Sequence, residues 1–168
     1  MENKERLKIT ENLFSGNEYT VLKALSLIKE KGDAEILKSV ILLFHSSSNE
    51  KINTEIKDIL CTLKSKSVGL VLSESLQNAD YSNIRKDLLI GCWMSGVIFE
   101  NSLSVFVDIF LKEDFLTAFE AFTVIENCVS LENNKEIEVE ILKLKTFSSE
   151  ISVEKKQIID KLIDFLEK

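Results

Sequence analysis

Apolar residues in this chain recur at three- and four-residue spacing, in runs separated by short polar breaks rich in serine, asparagine and glycine. That period predicts amphipathic helices. The clearest run is Asn78–Gly96, NADYSNIRKDLLIGCWMSG. Asp80 is placed to cap a helix, Ile84, Leu88, Leu89, Cys92 and Trp93 form its apolar stripe, and Gly96 ends it. The same outline starts at Asn17, Asn49, Asp80 and Glu113, at successive intervals of 32, 31 and 33 residues. A period of this length predicts an array of helical hairpins, none of which can bury its apolar face alone.

Taken in order, residues 2–14 form a terminal helix with Leu7, Leu13 and Phe14 inward. The first pair joins a helix at about 18–30, with Val21, Leu25 and Ile28, to one at about 34–45, with Gly32 closing the first and Asp33 capping the second. Ile36, Leu37, Val40, Ile41, Leu43 and Phe44 make that second helix apolar around much of its girth, which predicts enclosure by neighbours. In the second pair the stripes are Ile52, Ile56, Ile59 and Leu60, then Val68, Val71, Leu72 and Leu76. The third pair ends with Leu103–Leu111, where Leu103, Phe106, Val107 and Phe110 share one face and Val105 and Ile109 another. Phe115, Phe119 and Phe122 give the fourth an aromatic edge read as core. Residues 131–135 read as a loop. Two closing helices carry Ile137, Ile141, Leu142 and Leu144, and then Ile158, Ile159, Leu162, Phe165 and Leu166, with Lys155, Lys156, Asp160, Lys161 and Asp164 toward water.

This pattern predicts an all-α fold in one domain, 1–168, with helical pairs at about 17–48, 49–79, 80–112 and 113–147 and caps at about 1–16 and 148–168. The third pair resembles the HEAT-repeat family in Asp80, Ile84-Arg85, Leu88, Gly91 and Cys92. Val21 and Ile52 stand where Ile84 stands, whereas the arginine position holds Leu22 and Asn53. The resemblance, spanning about residues 17–147, implies a right-handed α-α superhelix, an armadillo-type solenoid that binds a protein along the concave row of second helices. Superposing the second helices places Lys38, Leu70 and Val105 in one row and Leu42, Glu74 and Ile109 in the next. Val105 and Ile109 would be apolar anchors there, and Glu74 with Asp108 would give direction.

Charge narrows the partners. Residues 1–112 carry 14 basic and 15 acidic side chains and residues 113–168 carry 7 and 13, so most of the net −7 lies in the last third. An acidic surface repels phosphate backbones, so no nucleic-acid partner is expected. A second reading is therefore an acidic inhibitor or immunity-type protein for a basic partner, acting through Glu136, Glu138 and Glu140. At two-residue spacing these glutamates diverge on a helix and are expected to be solvated. Self-association is a third.

Catalytic chemistry has little to draw on. His45 is the one histidine and sits at a helix end, where it is expected to cap a carbonyl. Ser46–Ser48 lack a glycine-rich phosphate cradle, and Cys61, Cys92 and Cys128 lack metal-ligand spacing and read as small buried residues. No catalytic residue, cofactor or metal is expected. HEAT-like folds also include DNA glycosylases, for which Trp93 and Asp87 are the residues to consider, as a remote alternative. The charged start MENKERLK lacks the apolar core of a signal peptide, and Leu88–Phe99 is shorter than the roughly 20 residues of a membrane span. A cytoplasmic protein with no membrane partner is the expectation.

Overall fold

The computed structural model describes residues 3–62, 65–147 and 152–168. Among these residues the chain is all-α, with ten α-helices, no strand, and one isolated parallel bridge between Phe99 and Val129. No helix among them is long and apolar enough to cross a membrane. The chain divides into two compact units, Met1–Val97 and Ile98–Lys168. The boundary falls inside the pair expected at 80–112. Residues 1–2 of the amino-terminal cap and 148–151 of the carboxy-terminal one lie outside the described residues.

In the first unit, α1 (Asn3–Leu13) packs on α2 (Glu18–Lys31), α2 on α4 (Glu50–Thr62), and α4 on α6 (Arg85–Ser95). Alternate helices α3 (Ala34–Ser46) and α5 (Lys66–Gln77) pack on each other. The breaks are made by side chains that satisfy helix-start amides. Asn17 accepts from Thr20 N, Asp33 from Ile36 N and Ser65 from Val68 N. In α1 the inward residues are Ile9 and Leu13, while Leu7 and Phe14, expected inside, are 66% and 47% exposed. A stripe of two faces the helices that α1 packs on, α2 and α3.

The expected Asp80 cap is corrected. Asn78 Oδ1 takes the Asp80 amide at 3.0 Å, the chain runs as a 3₁₀ segment over Ala79–Ile84, and α6 begins only at Arg85. The 3₁₀ pitch carries Ile84 inward, and Gly96 ends α6 at φ 67° as a left-handed cap. Trp93 is 36% exposed rather than part of the buried stripe. Gly91 marks a close approach of α6 to α4, since a Cβ there would stand 2.8 Å from Leu60 Cβ.

In the second unit, α7 (Leu103–Lys112) packs on α8 (Phe115–Cys128) and α9 (Asn134–Phe147), and α10 (Val153–Leu166) packs on α8 and α9. Asp114 caps α8 through Leu116 N and Thr117 N. Lys155, expected in water, is 6% exposed. Its ammonium donates to the carbonyls of Phe110 at 2.9 Å, Leu111 at 3.2 Å and Glu113. The reason lies on another helix: the last carbonyls of α7 lack intrahelical partners, and a buried cation from α10 satisfies them. Burial pushes the Lys155 amine below its ordinary range, against the pull of Asp114 and Glu113.

Two stability outcomes follow from this packing. Gly91→Ala is expected to cost about 1–2 kcal/mol in urea unfolding, as overpacking against Leu60 exceeds the gain in helix propensity. Asp33→Ala removes both a cap and the partner of Arg6, whose Nη2 donates to Asp33 Oδ2 at 2.7 Å, and is expected to cost about 1–2 kcal/mol at pH 7. The Arg6 hydrogen bond holds the Asp33 carboxyl below its ordinary range. The stability carried by its charge is thus complete above that range and is lost as pH falls through the lowered value, so the gap between parent and variant should narrow in acid.

Candidate functional site

Helices α3 and α5 of the first unit hold four of the seven candidate residues. On α3, the inward stripe of Ile36, Leu37, Val40 and Ile41 turns Lys38 and Leu42 outward, and Leu42 is 47% exposed. On α5, Val68, Val71, Leu72 and Leu76 are buried and turn Leu70, 61% exposed, and Glu74 outward. Lys38 Nζ lies 3.6 Å from Glu74 Oε2, which links the two helices. The two charges cancel, so this surface presents leucines beside a neutral pair. Exposed pairs of this kind contribute about 0–1 kcal/mol.

His45, at the carboxy-terminal end of α3, works differently from the expected carbonyl cap. Its Nδ1 shares a 2.8 Å hydrogen bond with Asn83 Oδ1, Asn83 Nδ2 donates to the His45 carbonyl at 3.1 Å, and the ring tilts against Tyr81 at 5.3 Å. The cap is thus Asn83, and His45 fastens α3 to the 3₁₀ segment. Arg85 donates to the carbonyls of Leu76 at 3.2 Å and Asn78 at 3.0 Å, which ties α6 to the end of α5. Asp87 pairs with Lys57 at 2.9 Å.

The other three candidates lie on α7 in the second unit. Ile109 is buried at 6% exposure and Val105 is half-buried, so of the two expected apolar anchors only Val105 reaches the surface. The physical reason is that α7 packs on both α8 and α9, which encloses two of its faces. Asp108 accepts from Lys112 at 2.8 Å and from Lys143 of α9. Burial pushes its carboxyl up, but the two lysines outweigh this and hold it below its ordinary range.

The glutamates of α9 also depart from expectation. Glu136 Oε1 accepts from Ser104 N at 3.3 Å, completing the start of α7 where Ser102 makes no side-chain cap. Glu140 is 4% exposed, 3.3 Å from Lys143 in an ion pair that lacks hydrogen-bond geometry. Only Glu138 is solvated as expected. The inward face of α9 is Glu140 and Leu144, so Leu142, expected inside, is 68% exposed, with Val139 at 61%.

One surface was not legible as a surface. Phe115 and Phe119 of α8, read as core, are 37% and 46% exposed beside Leu116 at 60%, and only Phe122 is buried. Periodicity alone does not find it, because Thr117, Ala118, Ala121, Phe122, Val124, Ile125 and Cys128 form a second adequate stripe, and that is the one turned inward. Among the described residues, no group of three or more histidines, cysteines and carboxylates is arranged to hold a metal ion. Cys92 and Cys128 are buried, and Cys61 is half-buried with its thiol 3.6 Å from Met94 Sδ. No protein-family model matches the chain, and no curated protein matches it.

Proposed function

We propose that this is a small HEAT-like α-solenoid, a non-enzymatic cytoplasmic scaffold or adaptor that binds another protein through its second-helix row. The observation that carries the reading is the pair Leu42 and Leu70, two large apolar side chains exposed on adjacent helices α3 and α5. Support for the solenoid comes from the packing order of the first unit, in which α2, α4 and α6 adjoin in succession and α3 adjoins α5. This is how stacked hairpins share a core. Further support comes from polar links between helices one repeat apart, such as Lys29 with Asp58 at 2.9 Å and Lys57 with Asp87 at 2.9 Å. An apolar surface flanked by a neutral ion pair suits an apolar segment of a protein better than a phosphate or a sugar.

A basic partner held by Glu136, Glu138 and Glu140 has less support, since two of the three serve the fold of the second unit. A glycosylase role for Trp93 and Asp87 has less still, because Asp87 already pairs with Lys57.

The test is affinity capture with the purified chain and a Leu42→Asp/Leu70→Asp variant. Both sites are exposed, so the variant should keep its circular dichroism and lose no more than about 1 kcal/mol in total. A protein captured by the parent should be reduced at least about tenfold on the variant, equivalent to about 1.4 kcal/mol of binding. Equal capture by both would refute the assignment of this surface.

A further inference from the structure

We infer that the outward face of α8, with the cavity at its amino-terminal end, docks a cationic amphipathic helix of a partner protein. This goes beyond the α3–α5 reading and stands on a different unit. The inward face of α8 is complete without Phe115, Leu116 and Phe119, because Thr117, Ala118, Ala121, Phe122, Val124, Ile125 and Cys128 already fill it. The first three therefore form an outward stripe, at 37%, 60% and 46% exposure, with ring centroids of Phe115 and Phe119 6.4 Å apart. Exposed large apolar residues clustered on one helix face mark an interaction surface more often than isolated ones do.

Charge selects the occupant. Residues 98–168 carry 8 basic and 15 acidic side chains, whereas residues 1–97 carry 13 of each, so the whole net charge of −7 belongs to the unit that contains α8. At helical spacing, Glu120 and Glu126 fall on the same outward side as Phe119. At the start of α8 a cavity of about 460 Å³ is lined by Leu111, Phe115 and Phe147 together with Glu113, Asp114 and Glu154. Aromatic rings beside carboxylates suit a lysine or arginine side chain, whose stem is apolar and whose tip is cationic. Lys155, which also lines this cavity, is turned to the carbonyls of α7. An apolar stripe bounded by carboxylates is the complement of a helix with leucines on one face and lysines beside them. It repels the same surface of a second copy.

The experiment uses the full chain and a fluorescein-labelled helix-forming peptide of about 18 leucine and lysine residues at amphipathic spacing. A leucine–glutamate counterpart and a glycine–lysine peptide of equal charge serve as controls. The leucine–lysine peptide should bind more tightly than both. Its affinity should fall at least about tenfold in both Leu116→Asp and Phe119→Asp, each checked by circular dichroism. It should fall in Glu120→Lys/Glu126→Lys and stay unchanged in Leu42→Asp/Leu70→Asp.

Equal binding of the glycine–lysine peptide, or full affinity in Leu116→Asp and Phe119→Asp, would reduce the effect to adsorption on an acidic surface and overturn the inference. A dimer by sedimentation equilibrium that reverts to monomer in Phe119→Asp would give the stripe to a second copy and overturn it too. Loss of peptide binding only in Leu42→Asp/Leu70→Asp would overturn it while leaving the α3–α5 reading in place.

Discussion

Helices α2 to α6 of the first unit each bury at least four residues and each pack on more than one neighbour, and this shared burial dictates the packing. The case of α4 shows it: Ile52, Ile56, Ile59 and Leu60 are all buried, and they are buried because α2 lies on one side and α6 on the other. Burying such side chains contributes about 1.5–3 kcal/mol each, so four of them outweigh any polar contact the helix makes. The exposed ion pairs that bridge the same helices, Lys29 with Asp58 and Lys57 with Asp87, add at most about 1 kcal/mol apiece. They report register more than they create it. Polar links between helices that are not consecutive in the chain run from 27 residues, Arg6 with Asp33, to 45, Lys155 with the Phe110 carbonyl. They hold neighbouring helices in register within each unit.

The second unit shows what happens when polar groups must enter such a core. Lys155 lies buried among carbonyls of α7, and Glu136 reaches from α9 to the amide of Ser104 at the other end of α7. The two ends of one short helix thus receive a cation at the carbonyl end and a carboxylate at the amide end. That is the order its macrodipole favours. Asp108 and Lys143 join α7 to α9 between them. Lys155 and Glu140, which look like surface charge in the sequence, are in this way part of the interior.

Helix positions were legible because the breaks are written in side chains that can accept an amide hydrogen. Asn17, Asp33, Ser65 and Asp114 each precede a helix and each cap it. Asp80 misled because a better-placed acceptor, Asn78, stands two residues earlier and starts a 3₁₀ segment instead. The inward faces of α2 to α5 were legible because their stripes are unambiguous. Those of α8 and α9 were not, since apolar residues circle both helices and periodicity alone cannot choose between two adequate stripes. Lys155 and Glu140 were illegible for a different reason. Their burial depends on partners on other helices, which no local pattern records.

The same distinction explains why the candidate row was only half legible. Moving from α3 to α5 by a fixed offset reaches outward-facing positions on both helices, and Lys38 meets Glu74 of the neighbouring row across that step. Moving on to α7 by the same logic assumes that the environment repeats along with the sequence period. Yet α7 belongs to the other compact unit, where it is enclosed by α8 and α9, and the position equivalent to Leu42 is buried Ile109. Whether a given side chain is left for a partner depends on where the neighbours sit around its helix: α3 packs on α1, α4, α5 and the 3₁₀ segment and still leaves Leu42 outside, whereas α8 and α9 between them cover Ile109 on α7.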